Sequence, residues 1–217
     1  MSINLKTMNK KIFLLGLFVI LSTLSLNIKL GHLAGTKATF TLFDSFAPIA
    51  GQFLGTGIGL VAVIVMQLLN LIIHQTTHLD LGMLLRIIPT LFAVVYFSKK
   101  SKWNILVPLL AIILFVVHPI GRTVWFYSMF WLIPIVCYYF QDKLLARALG
   151  ATFAAHAVGG VLWLYYFNLP KEVWLSLIPV VIVERLLFAA GIVLNVLLFK
   201  VILQFMNERT AHEVTEG

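Results

Sequence analysis

Long apolar runs, separated by short polar stretches, occupy almost the whole chain. None of these runs shows the strict alternation of a transmembrane barrel strand, and in lipid only a helix otherwise satisfies its own backbone groups. The runs cover residues 12–28, 40–54, 55–74, 83–98, 105–118, 124–140, 145–167 and 173–203. The pattern therefore predicts an all-α fold, a polytopic helical membrane bundle of seven or eight hydrophobic segments, some of which are short.

The number of crossings depends on the run from residue 40 to residue 74, which is about 35 residues long. One crossing takes about 20 residues, so this run is too long for a single ordinary helix. It can break near Pro48 or at Gly55, Gly57 and Gly59, and two short helices or one long helix both remain open. Two helices give eight crossings with both termini inside, whereas one helix gives seven crossings with the N-terminus outside.

The distribution of basic residues sets the orientation, because cytoplasmic loops carry an excess of Lys and Arg. Both helix counts place Lys99, Lys100 and Lys102 in the cytoplasm and give the same topology after residue 74. We therefore expect a multi-pass protein of the cell membrane with a cytoplasmic C-terminus. Lys10 and Lys11 precede the first apolar run, and no clear cleavage site follows it, which favours a retained first helix over a signal peptide.

Composition agrees with a bilayer environment. The chain is 61% hydrophobic and 11% charged, with a mean hydropathy of +1.01, which lies far outside the range of soluble proteins. Its 217 residues leave no room for a separate soluble domain, so we predict one integral membrane domain over 1–217, with a frayed polar tail at 208–217. The formal charge of +8 comes from basic residues in short loops, which indicates membrane topology rather than nucleic-acid binding.

Polar side chains within apolar segments are candidates for a binding site, because they are costly in hydrocarbon. With the orientation above, a group of them gathers at the outer ends of the segments, where it would line a shared cavity. The group consists of Asp44, Ser45, Gln67, Asn70, His74, Arg86, His118, Arg122, Trp163, Tyr165, Tyr166 and Asn168, and Trp125 joins it if Arg86 and Arg122 face one cavity. Gln67, Asn70 and His74 are three and four residues apart, so they would share one helix face directed into the bundle. The alternative is interfacial anchoring, with aromatic rings at headgroup level and arginines reaching to the surface.

A second polar group lies deeper, with His156 in one long segment and Glu184 and Arg185 in the next. Adjacent helical residues point about 100° apart. We therefore expect Glu184 and Arg185 to find partners on other helices rather than to pair squarely with each other. His156 is a candidate partner for Glu184, and Asp44 is one for Arg185. The alternative is a polar clasp that only fixes the packing of the last two helices.

Small residues recur at four-residue spacing in two places. The first ladder consists of Ala47, Gly51, Gly55 and Gly59, and the second consists of Ala146, Gly150 and Ala154 beside Ala151, Ala155 and Gly159. Such ladders let helices approach closely, either inside the bundle or against a partner subunit. If the chain breaks at Gly55, the first ladder does not lie on one continuous face.

A resemblance to a known family rests on residues 43–59, which read FDSFAPIAGQFLGTGIG. One proline and three glycines stand there in a P-x-x-G-x-x-x-G-x-x-x-G pattern. This stretch resembles the second and third helices of S components, the substrate-binding membrane subunits of energy-coupling-factor vitamin importers. The resemblance implies capture of a small solute and a partner made of a transmembrane coupling subunit with ATPases. The second half, from His118 to Arg185, resembles a group of uncharacterised prokaryotic integral membrane proteins, which implies no activity.

The function that we expect first is a membrane solute-binding or uptake subunit that captures a small molecule from the outer face. If Arg86 and Arg122 share a cavity with Trp125 and Trp163, an anionic aromatic solute is favoured. The chain has no ATP-binding motif, so energy would come from partner subunits or from an ion gradient. We expect no cofactor and no metal ion.

Two alternatives remain open beside uptake. An intramembrane, hydrolase-like enzyme would use Glu184 with His156, although the chain carries no motif of a known hydrolase. A non-catalytic membrane scaffold would use its buried polar groups only to fix the fold. These alternatives make different demands on Glu184, because only the enzyme requires its ionisable carboxyl group for turnover.

Overall fold

Helices joined by short turns make up most of the described chain. The computed structural model describes residues 5–32, 39–73, 85 and 87–215. The helices are α1 (Leu5–Leu26), α2 (Phe43–Phe46), α3 (Ala50–Phe53), α4 (Thr56–Ile73), α5 (Ile87–Ser98), α6 (Trp103–Val117), α7 (Pro119–Thr123), α8 (Leu132–Tyr139), α9 (Leu144–Phe167) and α10 (Lys171–Thr215). Two 3-10 helices, Ala47–Ile49 and Trp125–Trp131, connect α2 to α3 and α7 to α8. The predicted helical architecture is confirmed at this level.

A short antiparallel ribbon is the departure from a purely helical fold. Strand β1 (Lys29–His32) pairs with β2 (Thr39–Thr41), with Lys29 opposite Thr41 and His32 opposite Thr39. The ribbon lies between α1 and α2, where polar residues and glycines interrupt the apolar runs. Pairing of the two extended stretches satisfies backbone groups that would otherwise lack partners.

The chain breaks between α3 and α4 at Gly55. This residue has φ +89°, a left-handed conformation that glycine adopts without strain. Of the two alternatives for residues 40–74, two helical pieces are therefore the observed one. The piece from Phe43 to Phe53 is far shorter than the roughly 20 residues that a crossing needs.

The first glycine ladder forms a tight contact between α3 and α4 instead of one continuous face. A Cβ atom added at Gly59 would lie 2.7 Å from the Gly51 nitrogen and 2.8 Å from the Ala50 carbonyl carbon. A Cβ atom at Gly51 would lie 2.7 Å from the Cβ of Ser98 on α5. Only hydrogen atoms fit at these two positions, so the small residues allow three helical pieces to meet.

Helix α9 is at the centre of the fold and packs against α5, α6, α8 and α10. Its second ladder of small residues makes these contacts close, because a Cβ atom at Gly150 would overlap the ring of Tyr96 on α5. The Tyr96 hydroxyl donates a hydrogen bond of 2.6 Å to the Pro134 carbonyl, which ties α5 to α8. The second ladder thus acts inside the bundle.

Two apolar clusters fill the interior. The first includes Phe18, Phe46 and Phe199 and joins α1, α2 and the second half of α10. The second is aromatic, with Phe115 surrounded by Tyr127, Trp131 and Trp174 at ring distances of 5.1 to 5.8 Å. Helices α9 and α10 contribute residues to both clusters.

Two of the described helices are long and apolar enough to cross a membrane. They are α9, with 24 residues, and the Lys171–Phe205 part of α10, with 35 residues. At 1.5 Å per residue, α9 measures about 36 Å, which covers the roughly 30 Å hydrocarbon core. The other apolar helices of the described chain are shorter, so the seven or eight predicted crossings are not confirmed.

These two helices differ in what surrounds them. In the most apolar 18-residue stretch of α9, 56% is buried within the protein, whereas in that of α10 only 28% is buried. The outward face of α10 carries Leu186, Leu187 and Leu194, which are all exposed. A continuous apolar surface of this kind suits lipid contact.

Candidate functional site

Polar residues meet where the two apolar clusters join. His156 lies at the middle of α9, and Glu184 and Arg185 lie near the middle of the apolar part of α10. On α9, Ala154 belongs to the first apolar cluster and Ala157 to the second, so His156 stands at the boundary. The neighbouring polar groups come from α2 and from the second 3-10 helix. We call the set Asp44, Tyr127, Trp131, His156, Glu184 and Arg185 the mid-helix cluster.

The hydrogen bonds of His156 define its tautomer. The Trp131 Nε1–H donates to His156 Nδ1 over 3.0 Å, and the Tyr127 hydroxyl lies 3.0 Å from His156 Nε2. An indole nitrogen can only donate, so Nδ1 carries no hydrogen. The neutral ring then carries its hydrogen on Nε2 and donates it to the Tyr127 oxygen.

Close packing holds Tyr127 and Trp131 in place. Both stand on the 3-10 helix Trp125–Trp131 and are fully enclosed by the second apolar cluster. The Trp131 indole lies against Gly160 on α9, where an added Cβ atom would collide with the ring. A glycine one turn after His156 thus allows the indole nitrogen to reach the imidazole.

Glu184 and Arg185 contact each other, contrary to expectation. Their side chains form an ion pair of 3.4 Å between Arg185 Nη2 and Glu184 Oε2. The arginine side chain is long enough to reach its neighbour although adjacent helical positions point about 100° apart. Its Cζ lies 4.7 Å from the centre of the Phe188 ring. Arg185 is 6% exposed. Asp44 also lies within electrostatic range of Arg185, and the pairing of these two side chains stays a prediction.

The position of Asp44 follows from the packing of α2 on α10. A Cβ atom at Gly191 would lie 2.8 Å from the Ser45 Cβ, so the two helices approach closely there. The Asn195 side-chain amide donates a hydrogen bond of 3.2 Å to the Ser45 carbonyl. Asp44 itself accepts a 2.9 Å hydrogen bond from the Thr41 backbone through Oδ2. The structure therefore brings Asp44 to the middle of α10 rather than to the outer ends of the segments.

Thr152 links the two long helices beside the cluster. Its hydroxyl donates to the Leu149 carbonyl over 3.0 Å and lies 3.5 Å from the Arg185 carbonyl. It stands one turn before His156 on α9, so the contact fixes α9 against α10 at the level of the charges.

The expected pair of His156 with Glu184 does not form. Both imidazole nitrogens are hydrogen-bonded to Trp131 and Tyr127 instead. The sequence does not single out these two partners, because they stand in the apolar, aromatic run 124–140. A signal was present, since buried Tyr and Trp side chains need partners for their polar tips.

The outer-end candidates take separate positions. His118 accepts a 3.3 Å hydrogen bond from the Ile120 backbone through Nδ1 and so caps α7, and the centres of the His118 and Tyr165 rings are 4.8 Å apart. Arg122 is exposed, and so is Trp125, with 53% of its surface accessible. That these side chains line a common cavity stays a prediction.

The other outer-end candidates are described in part. Trp163 is buried in the second apolar cluster, and its indole N–H has no hydrogen-bond acceptor among the described residues. Gln67 is half-buried on α4. The Asn70 side chain, His74 and Arg86 lie outside the described residues. The shared face of Gln67, Asn70 and His74 therefore stays a prediction.

Neither the models of known protein families nor the curated protein sequences match this chain. The resemblance to S components stays a prediction. The functional argument therefore depends on the chemistry of the mid-helix cluster.

Proposed function

We propose that this chain is a multi-pass protein of the cell membrane that binds a small solute for uptake through its mid-helix cluster. One observation carries the proposal: interacting charged and hydrogen-bonded side chains lie halfway along the two helices long enough to cross a bilayer. Charged groups at that depth are costly, and they commonly mark solute or ion pathways. We assign the C-terminus to the cytoplasm from the bias of basic residues.

The balance of charge in the cluster favours a solute with a positively charged group. Asp44 and Glu184 are carboxylates, Arg185 is the cation of the cluster, and His156 is neutral in the tautomer that its bonds require. The carboxylates outnumber the cation where the dielectric constant is low, and a cation bound beside Glu184 would offset the excess. The Glu184 side chain is 21% exposed, so a solute can reach it.

An anionic aromatic solute, which the outer-end arginines suggested, has less support. Arg122 and Trp125 are exposed at the surface, and Trp163 is packed into the second apolar cluster. Such a solute would depend on Arg86, which lies outside the described residues.

Thermal unfolding of the purified protein in detergent tests the charge preference. One set of solutes consists of protonated amines and amino acids, and the other consists of anionic vitamins. We expect the amine set to raise the Tm of wild type and of Arg122→Ala but not of Glu184→Gln. A ligand at 100 times its Kd adds about 2.7 kcal/mol to the free energy of unfolding, which corresponds to roughly 5–10 °C for a chain of this size.

Two outcomes would contradict the proposal. A shift that persists in Glu184→Gln but disappears in Arg122→Ala would move the site to the outer ends of the helices. If no solute of either set changes the Tm of wild type, the mid-helix cluster is not a binding site for these classes.

Uptake needs an energy source outside this chain, which carries no ATP-binding motif. From the resemblance to S components, we propose a transmembrane coupling subunit with ATPases as the partner. Mild detergent extraction of the tagged chain from its native membrane is expected to retrieve ATPase subunits with it. Retrieval of the chain alone, with solute binding intact, would favour an ion gradient as the energy source.

A membrane scaffold is the second candidate, and a specific observation favours it. Both His156 nitrogens have partners within the chain, and Asp44 Oδ2 holds the end of strand β2. The same bonds count against a hydrolase in which His156 acts with Glu184. A scaffold predicts that Glu184→Gln and His156→Gln lower the Tm, while no solute raises it.

A further inference from the structure

The Tyr127 hydroxyl has a hydrogen to donate. Its oxygen accepts from His156 Nε2–H, because Trp131 already donates to Nδ1. The hydroxyl hydrogen therefore points away from His156, and among the described residues Tyr127 makes no second side-chain hydrogen bond that would use it. Tyr127 is 1% exposed. A buried donor without an acceptor gains when a bound molecule supplies one.

The Tyr127 hydroxyl lies near the charged part of the mid-helix cluster. The charges of Arg185 and Glu184 both act on Tyr127, so these groups lie within electrostatic range of the hydroxyl. A guanidinium has only donors. A solute that places a cationic group beside Glu184 would therefore bring its own oxygen acceptor to Tyr127.

We propose that Tyr127 donates a hydrogen bond to an oxygen of the bound solute, and that Trp131 is the positioning residue that makes this possible. The inference rests on the proposed function. The substrate class is a small protonated amine with a neighbouring carbonyl or hydroxyl oxygen. Trp131 acts by holding His156 in the tautomer with hydrogen on Nε2.

Without the Trp131 indole N–H, nothing would keep the hydrogen off His156 Nδ1. His156 could then move its hydrogen to Nδ1, and the Tyr127 hydroxyl would donate to Nε2 instead of to the solute. Trp163 provides a matched control, because it is a second buried tryptophan of the same apolar cluster whose N–H has no acceptor among the described residues. Trp131→Phe and Trp163→Phe remove the same atoms, but only the first breaks a hydrogen bond.

Nitrogen-15 NMR of protein labelled at histidine measures the tautomer without any solute, since protonated and unprotonated ring nitrogens have well-separated shifts. The His156 signals are assigned by their loss in His156→Gln. We expect wild type and Trp163→Phe to show an unprotonated Nδ1, and Trp131→Phe to show the other tautomer or a mixture. An unchanged tautomer in Trp131→Phe would overturn the role of Trp131.

The affinities of two probes test whether the Tyr127 hydroxyl donates to a bound solute. Ethanolamine carries a protonated amine and a hydroxyl oxygen, whereas ethylamine carries only the amine. We expect wild type and Trp163→Phe to bind ethanolamine about five- to tenfold more tightly than ethylamine, and Tyr127→Phe and Trp131→Phe to lose that preference. A preference that survives in Tyr127→Phe would overturn the inference but leave the proposed function standing.

The outcomes separate the two proposals. If neither probe binds wild type, the preference for a cationic solute fails, and this inference fails with it. Should Trp131→Phe not fold, Tyr127→Phe still tests the donor, because it leaves the bond between Trp131 and His156 in place.

Discussion

At the scale of single residues, small side chains decide which polar groups can meet. Gly160 admits the Trp131 indole, and the indole in turn sets the tautomer of His156. Gly191 lets Ser45 approach α10 closely, which brings Asp44 within electrostatic range of Arg185. The chemistry of the mid-helix cluster therefore depends on glycines that carry no functional group.

Gly160→Ala is expected to destabilise the protein by about 1–3 kcal/mol, because the new methyl group would displace Trp131 from a filled site. Gly159→Ala is the control, since its Cβ would lie 3.4 Å from a Pro89 side-chain carbon, an ordinary contact. The control should be neutral or more stable by about 0.5–1 kcal/mol, the usual gain of alanine over glycine in a helix. Thermal unfolding in detergent measures both, and equal Tm values for the two variants would contradict the packing argument.

Arg185→Met should cost about 3–5 kcal/mol, because it leaves the partly buried carboxylates of Glu184 and Asp44 without their cation. The matched control is Arg122→Ala, which removes an exposed arginine and should stay within about 0.5 kcal/mol of wild type. Thermal unfolding should show a fall in Tm of roughly 10 °C for Arg185→Met and almost none for Arg122→Ala. A small effect of Arg185→Met would mean that the carboxylates do not depend on it.

At the scale of elements, the turn at Gly55 converts one long apolar run into a packed pair of helices. Helix α3 and helix α4 touch through Gly51, Ala50 and Gly59 at backbone distance. The stretch from Phe43 to Phe53 is not an ordinary membrane crossing, because it is too short to span the bilayer alone.

Gly59→Ala is expected to force α3 and α4 apart, since its Cβ would meet backbone atoms 2.7 to 2.9 Å away that cannot give way. Gly57→Ala, where nothing lies within 4 Å, serves as the control in the same helix. We expect a loss of about 1–3 kcal/mol for the first variant and none for the second. Hydrogen exchange should also rise at the amides of residues 50–60 in Gly59→Ala only; similar exchange in both variants would argue against the close contact.

At the scale of the whole molecule, α9 forms the buried centre and α10 the apolar exterior. The exposed leucines of α10 include Leu187, which is 65% exposed. A helix that buries so little of its apolar surface within the protein suits a bilayer, where lipid covers the rest.

Single-cysteine labelling tests whether α10 crosses the membrane. Cys137, the one cysteine of the sequence, is first replaced by alanine. We expect Lys171→Cys to react with a membrane-impermeant maleimide in intact cells, Lys200→Cys to react only after permeabilisation, and Leu187→Cys to react in neither state. Reaction of Leu187→Cys with the impermeant reagent in folded protein would show that this face meets water.

Much of the element structure was predictable from local pattern. The predicted run 145–167 became α9 (Leu144–Phe167), and the run 105–118 became α6 (Trp103–Val117). Such agreement is possible because the end of an apolar run in a polar stretch is a local property, which periodicity and breaker residues record. The candidates His156, Glu184 and Arg185 were found for a similar reason, since a polar residue stands out within an apolar run.

Hydrophobic patterning alone thus determined the helical class, several helix boundaries and the deep polar residues, although the last helix continues to Thr215, beyond the predicted start of a frayed tail at 208. Tertiary structure decided their partners: Trp131 and Tyr127 for His156, the side-by-side pair of Glu184 with Arg185, and the position of Asp44 beside α10. The physical reason is that a pattern along one helix records which face is polar, but not which distant side chain meets it. That choice depends on how closely the backbones approach, and here glycine contacts between separate helices set the distance.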